Sequence, residues 1–156
     1  MQIRIAQDRD IPGMLSLLLQ VGQVHHEIRP DIFRSGALKY DENALSDLLG
    51  QSDKPIFVAV EGEAVLGYCF CQLRVYDGTG VSTCRKELYI DDLCIDEASR
   101  GTGIAQALYA QAQDHAKSMG CQFLTLNVWC GNQRAMAFYE KMGLTQRNIM
   151  METKLL

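Results

Sequence analysis

Residues Leu88–Ala105, LYIDDLCIDEASRGTGIA, decide how the chain is read. An apolar run, Leu88–Ile95, has the length and composition of a buried strand. An acidic turn follows and leads into Arg100-Gly101-Thr102-Gly103. Behind the glycines, Ile104, Leu108, Ala112, Ala116 and Met119 recur at three- and four-residue spacing, which predicts a helix over Gly103–Met119. A strand feeding a glycine turn at a helix N-terminus is built to receive an anion. The first turn leaves backbone N–H groups unpaired, the helix dipole adds positive charge, and glycine lets a phosphate approach the backbone.

The spacing of the glycines narrows the ligand. A dinucleotide-binding turn reads GxGxxG, but here the third glycine position is Gln106, and no acid follows at the ribose-binding distance. A Gly-Lys-Ser/Thr phosphate loop is absent. What stands is Arg100-x-x-Gly103-x-Ala105, and downstream the chain reads Asn132-Gln-Arg-Ala-Met-Ala-Phe-Tyr139-Glu-Lys-Met-Gly143. The first segment resembles the pyrophosphate loop (R/Q-x-x-G-x-G/A) of the GNAT superfamily of acetyl-CoA-dependent N-acetyltransferases. The second is similar to that superfamily's N-x-x-A-x-x-F/L-Y-E-x-x-G-F segment, with Leu144 where phenylalanine is usual. The resemblance covers roughly Ile3 to Glu152, and its specific part is Leu88–Leu144.

That resemblance implies an α/β fold: a central mixed sheet flanked by helices, splayed between two parallel strands, here Glu87–Ile95 and Phe123–Trp129. It implies acetyl-CoA as co-substrate and an amine acceptor. The pyrophosphate would lie on the backbone of Arg100, Gly101, Thr102, Gly103, Ile104 and Ala105. The pantetheine arm would pair with the strand edge at Leu93, Cys94 and Ile95, as an added strand. Tyr139 would give a proton or hydrogen bond to the departing thiolate, and Asn132 would hold the cofactor's amide or serve as a helix cap. A phenol suits the first task because its pKa of ~10 is near that of a thiol. Asn132 and Tyr139 are two helical turns apart and so share a side.

The base must be sought elsewhere. Where ribosomal-protein alanine acetyltransferases carry a glutamate, this chain has Asn127, which takes no proton at neutral pH. Candidates are Asp91, Asp92 and Glu87 on the central strand, and Glu27, His25 and His26 before it. Strand alternation predicts that Asp91 and Asp92 lie on opposite faces, so that at most one of them faces the cleft. Asp92, acting through a water, is the leading assignment. A catalytically silent acyl-CoA-binding module is the competing reading, and Tyr139 argues against it. Trp129 and Tyr68 are candidate walls for the acceptor, but the core is the favoured place for each.

The chain's 156 residues suit a single domain spanning residues 1–156. Its net charge of −4 provides no basic footprint for nucleic acid as the main partner. No apolar stretch is long enough to span a membrane, and the N-terminus does not read as a signal peptide, so a cytoplasmic protein is expected. A homodimer stays open. Cys69, Cys71, Cys84, Cys94, Cys121 and Cys130 lack metal-ligand spacing and are expected as reduced structural thiols, with no metal in the reaction. Cys94 and Cys130 lie near the proposed site and are candidates for alkylation, without the basic neighbour of a nucleophile.

The remaining expectations follow chain order. They are a strand Ile3–Ala6, a helix to about Val24 capped by Asp8 or Asp10, and a connector His25–Phe33. A helix Tyr40–Gly50 capped by Asp41, strands Ile56–Val60 and Ala64–Arg74 with a bulge near Gly67, and a loop Tyr76–Lys86 come next. The C-terminal half adds a strand Gln122–Trp129, a helix Ala135–Met142 and a sheet-closing strand Asn148–Leu155.

Overall fold

The computed structural model describes residues 1–156. Five strands form one sheet in sequence order: β1 (Gln2–Ile5), β2 (Ile56–Glu61), β3 (Ala64–Asp77), β4 (Cys84–Ile95) and β5 (Phe123–Leu126). The first four are antiparallel neighbours, and β5 lies parallel to β4. Helices α1 (Ile11–Ile28) and α2 (Glu42–Leu49) cover one face, and α3 (Ile104–Ser118) the other. Helix α4 (Gln133–Lys141) follows β5. The mixed sheet read from the sequence is present.

Alternation along the strands builds two cores, one on each face. Val58, Tyr68 and Phe70 pack with Met14, Leu17, Leu18 and Leu45 from α1 and α2. Phe57, Ala59, Cys69, Cys71, Leu88 and Ile90 pack with Ile104, Leu108 and Ala112 of α3. Cys69 and Cys71 share that second face, their sulfurs 3.7 Å apart. All six cysteines are free thiols.

Several boundaries depart from the sequence reading. Helix α1 continues through His25, His26 and Glu27, and stops at Arg29, because a residue before proline resists the helical conformation. Asp10 stands at its N-cap position but caps nothing. Its carboxylate takes two bonds from Arg4, at 2.6 and 2.9 Å, and one from the Gln7 N–H. Asp41 does cap α2, accepting from the Ala44 N–H at 2.8 Å. A bulge leaves Leu66 unpaired beside Gly67, as expected. Strands β3 and β4 extend further than read, which shortens the loop between them to residues 78–83.

The sheet-closing strand is not formed. Residues 145–156 carry no regular structure, and Ile149, Met150, Met151, Leu155 and Leu156 are exposed. Three adjacent apolar residues, Ile149–Met151, suit a strand only where layers cover both faces. No layer reaches them. Two arginines instead tether the segment, through the ion pairs Arg147–Glu87 and Arg29–Glu152.

Candidate functional site

The parallel pairing of β4 with β5 ends at Ile90 opposite Leu126. Strand β4 runs on to Ile95, whereas β5 stops, four residues long rather than extending to Trp129. Beyond Ile90, β4 keeps its β3 partner (Phe70 with Asp92, Cys69 with Leu93, Tyr68 with Cys94) but has no strand on its other side. Its peptide groups at Leu93, Cys94 and Ile95 therefore border an open edge. This is the splay that the family resemblance implied.

That edge leads into the glycine turn. Gly101 and Gly103 have φ of 78° and 86°, in the left-handed region that favours glycine, and no heavy atom lies within 4 Å of where a Cβ would stand on either. Thr102 folds its hydroxyl back onto the Ser99 carbonyl at 2.6 Å. Gly103 is the N-cap of α3, and no side chain caps the first turn. The unpaired N–H groups of that turn, including those of Ile104 and Ala105, thus face space rather than a protein acceptor. Arg100 stands beside them, partly exposed and 3.9 Å from Glu97. The backbone fits a phosphate group: open glycines, free donors and a helix dipole coincide.

A bulge at the splay changes the reading of the two aspartates. Phe70 opposes Asp92 and Cys71 opposes Ile90, so Asp91 is an extra residue in β4. Side-chain alternation is interrupted there. Both carboxylates consequently project to the α1 and α2 face, which corrects the expectation that they alternate faces. Asp91 accepts from Lys39 Nζ and from the Tyr40 hydroxyl, each at 2.8 Å. Tyr40 stacks on Phe70, and a shallow cavity of about 170 Å³ opens between these rings and Asp91. Asp92 accepts one bond, from the Tyr68 hydroxyl at 2.9 Å to Oδ2. Burial pushes its carboxyl up to about 6, with Lys39 and the Tyr68 bond opposing the rise. Asp91 is already neutralised by a cation; Asp92 is poised to exchange a proton near neutrality.

The other candidate bases have different occupations. Glu87 is 1% exposed and bridges Arg85 and Arg147. Its burial would raise the carboxyl, but the two guanidinium groups hold it below the usual range. His26 Nδ1 lies 2.7 Å from the Phe33 carbonyl, and Glu27 accepts from Gln23. His25 packs on Phe33, where burial and then the Lys39 charge lower its pKa.

Tyr139 lies on α4 with its ring 5.2 Å from Phe138, which in turn meets Tyr109 of α3. Burial, with smaller contributions from Cys69 and Asp92, pushes its phenol above the ordinary range. No buried side-chain oxygen lacks a partner, so the Tyr139 hydroxyl, which bonds to nothing in the chain, borders accessible space. Asn132 caps α4 through Oδ1, which accepts from the Ala135 N–H at 3.2 Å, and keeps its amide NH₂ free.

Tyr68 is fully buried and belongs to the core, whereas Trp129 is partly exposed and meets Phe33 edge-on. Cys94 sends its thiol into the α1 core, toward the Leu17 carbonyl, and burial pushes it up to about 12. Alkylation at Cys94 is therefore disfavoured; Cys130 stays exposed. Sequence reading missed Lys39, Tyr40, Tyr89 and Arg74. Their signal is tertiary: each is defined by a partner on another element, and Asn127, singled out for what it lacks, donates to the Tyr89 hydroxyl at 3.1 Å. No three His, Cys, Asp or Glu side chains converge as metal ligands. No helix is long and apolar enough to cross a membrane.

Comparison with known proteins places this geometry. Residues 22–144 match the model of the acetyltransferase (GNAT) family. N-alpha-acetyltransferase 30 of Schizosaccharomyces pombe is 37% identical over 87 residues, 56% of this chain and 55% of that protein. Glucosamine 6-phosphate N-acetyltransferase of Arabidopsis thaliana is 34% identical over 68 residues, 44% of each. The chain thus spans about half the length of the curated relatives it matches. A crystal structure of a mutant BH1408 protein from Bacillus halodurans superposes with a TM-score of 0.96 at 30% identity, covering all of both chains. An aminoglycoside N-acetyltransferase crystallised with CoA shares the fold, with a TM-score of 0.70 at 15% identity.

Proposed function

Because the chain belongs to the acetyltransferase (GNAT) family, we propose that it moves an acetyl group from acetyl-CoA to a primary amine, of a small molecule or a protein, in one ternary complex. The observation that carries this reading is the open β4 edge leading into the uncapped N-terminus of α3. The two relatives named above act, by their names, on amines, which supports an amine acceptor here.

Acetyl-CoA supplies an acyl group on a thiol leaving group. The N–H groups from Gly101 to Ala105, with Arg100 beside them, would hold its pyrophosphate. The backbone of Leu93, Cys94 and Ile95 would hold the pantetheine arm, and the free amide of Asn132 is placed to bind a carbonyl of that arm. Asp92 takes the proton of the attacking amine, through a water, onto its unpartnered Oδ1. Asp91 stays in its ion pair with Lys39. Tyr139, kept protonated at neutral pH, gives its proton to the departing thiolate as the C–S bond breaks and the N–C bond forms.

Release of thiol on mixing the protein with acetyl-CoA and a panel of amines tests the reading. Thiol release that depends on the amine, with a matching acetylated product, supports it. CoA binding without amine-dependent release would make the chain a silent acyl-CoA-binding module. Absence of any CoA binding would remove both.

A further inference from the structure

The α1-side core takes no residue of β3 beyond Phe70 and none of β4 before the splay. Cross-strand partners share a face, so the register sets Arg74 beside Glu87, Tyr76 beside Arg85 and Gln72 beside Tyr89, with Phe123 completing the row. Three guanidinium groups lie on aromatic rings there: Arg74 over Tyr89 at 3.6 Å, Arg85 over Tyr76 at 3.7 Å, and Arg147 over Phe123 at 5.0 Å. One carboxylate, Glu87, pairs with two of them, Arg85 and Arg147. Arg74 forms no ion pair and no hydrogen bond with its guanidinium; only the Tyr89 ring holds it. In a chain of net charge −4, these three guanidinium groups have one carboxylate, Glu87, in contact with them.

The chemistry of such a guanidinium is specific. A guanidinium held on an aromatic face keeps its N–H donors for the two oxygens of a carboxylate or phosphate. Its position is specific as well. Tyr89 lies on the same strand face just before the bulge that carries Asp91 and Asp92, and its hydroxyl already receives the Asn127 amide beside the end of β5.

We propose that the acceptor is an amine carrying an anionic group at the far end of a short chain, held by Arg74 on the Tyr89 ring while the amine reaches the splay. Arg85 and Arg147 extend the positive field along the same face. This inference rests on the acetyl-transfer reading and names the substrate class for it.

The test is steady-state acetylation of three amines by the full chain: hexylamine, 6-aminohexanoate and 6-aminohexyl phosphate. The two anionic amines are expected to exceed hexylamine in kcat/KM by ~10-fold or more, the size of a charge-assisted bidentate contact. The stronger of the two identifies carboxylate or phosphate as the natural group. Arg74→Leu should collapse that ratio, chiefly through KM, and Arg74→Lys should retain part of it. A purely structural Arg74 would lower all three amines alike and leave the ratio unchanged. Equal use of hexylamine and the anionic amines, or a ratio indifferent to Arg74→Leu, would overturn the proposal while leaving acetyl transfer standing. No transfer to any amine, despite CoA binding, would overturn the transfer reading and this one with it.

Discussion

The Tyr68 hydroxyl donates to Asp92 Oδ2 at 2.9 Å, and the adjacent Asp91 takes its hydrogen bonds from Lys39 and Tyr40 instead. Two neighbouring carboxylates on one sheet face thus have different partners. Asp91 sits in an ion pair with Lys39; Asp92 has a neutral partner, and burial raises its carboxyl so that it can take a proton. Asp92→Asn keeps an acceptor for Tyr68 but removes the base. Its kcat should fall by ~10²–10⁴, the range for loss of general base catalysis. The wild-type rate should decline below about pH 6, where the carboxyl protonates. A pH–rate profile of both proteins checks this: an acidic limb that persists in Asp92→Asn would assign it to another group.

The same substitution should stabilise the fold. A carboxyl raised from 3.8 to about 6 binds its proton more tightly in the folded state. Its favourable contribution is present below the unfolded value, and is lost as pH rises through the folded one. Near neutrality the native protein therefore holds an ionised, desolvated carboxylate. Asp92→Asn should raise stability at pH 7.5 by ~1–3 kcal/mol, and the gain should vanish toward pH 4. Denaturant melts at the two pH values read it directly. A variant equally stabilised at both would show that charge is not the cause.

The sequence displayed what depends on local pattern. Helix α3 announced itself through the period of Ile104, Leu108 and Ala112, all now in one core. The glycines were legible because Gly101 and Gly103 occupy backbone states that other residues avoid. The bulge was not legible: it is a mismatch between β4 and β3, and nothing in Asp91-Asp92 itself encodes an extra residue. Nor was the fate of residues 148–155, since a strand needs a free edge and a covering layer that its own residues do not supply. Lys39 and Arg74 belong to the same class, defined by Asp91 and by Tyr89 across the fold.

Gly103→Val should remove CoA binding. Gly103 has φ of 86°, and its Cβ position opens into free space beside the first turn of α3. A valine there is strained and would fill the approach of a phosphate. CoA at 100 times its dissociation constant should stabilise wild type by ~2.7 kcal/mol, and the folded variant not at all. An undiminished thermal shift would place the pyrophosphate elsewhere.

Asp10 offers a prediction independent of function. Its carboxylate is 4% exposed, and it binds Arg4 twice and the Gln7 N–H once. Burial would raise it, but these donors hold it below the usual range, so the pair stabilises above about pH 4 and weakens as the carboxyl protonates. Asp10→Ala leaves Arg4 unpaired near the core and should cost ~3 kcal/mol at pH 7. Urea melts of both proteins should converge as pH falls toward 3. A constant difference across that range would trace the loss to packing alone.

Tyr139 gives the sharpest separation of enzyme from binding module. Its hydroxyl has no partner within the chain, while its ring packs against Phe138. Tyr139→Phe therefore removes an oxygen that contributes no intramolecular hydrogen bond, and preserves the aromatic contact. Stability should change by less than ~0.5 kcal/mol, and CoA affinity should stay within a few-fold, since the backbone cradle is untouched. If the phenol protonates the leaving thiolate, kcat should nevertheless fall by ~10²–10⁴, equivalent to ~3–5 kcal/mol of transition-state stabilisation. The loss should appear in kcat rather than KM, because the interaction strengthens only as the C–S bond breaks. The measurement is kcat for both proteins on the best amine, alongside melts showing both folded. A fall of less than about threefold, far below the general-acid range, would make Tyr139 a packing residue and leave thiolate departure unassisted.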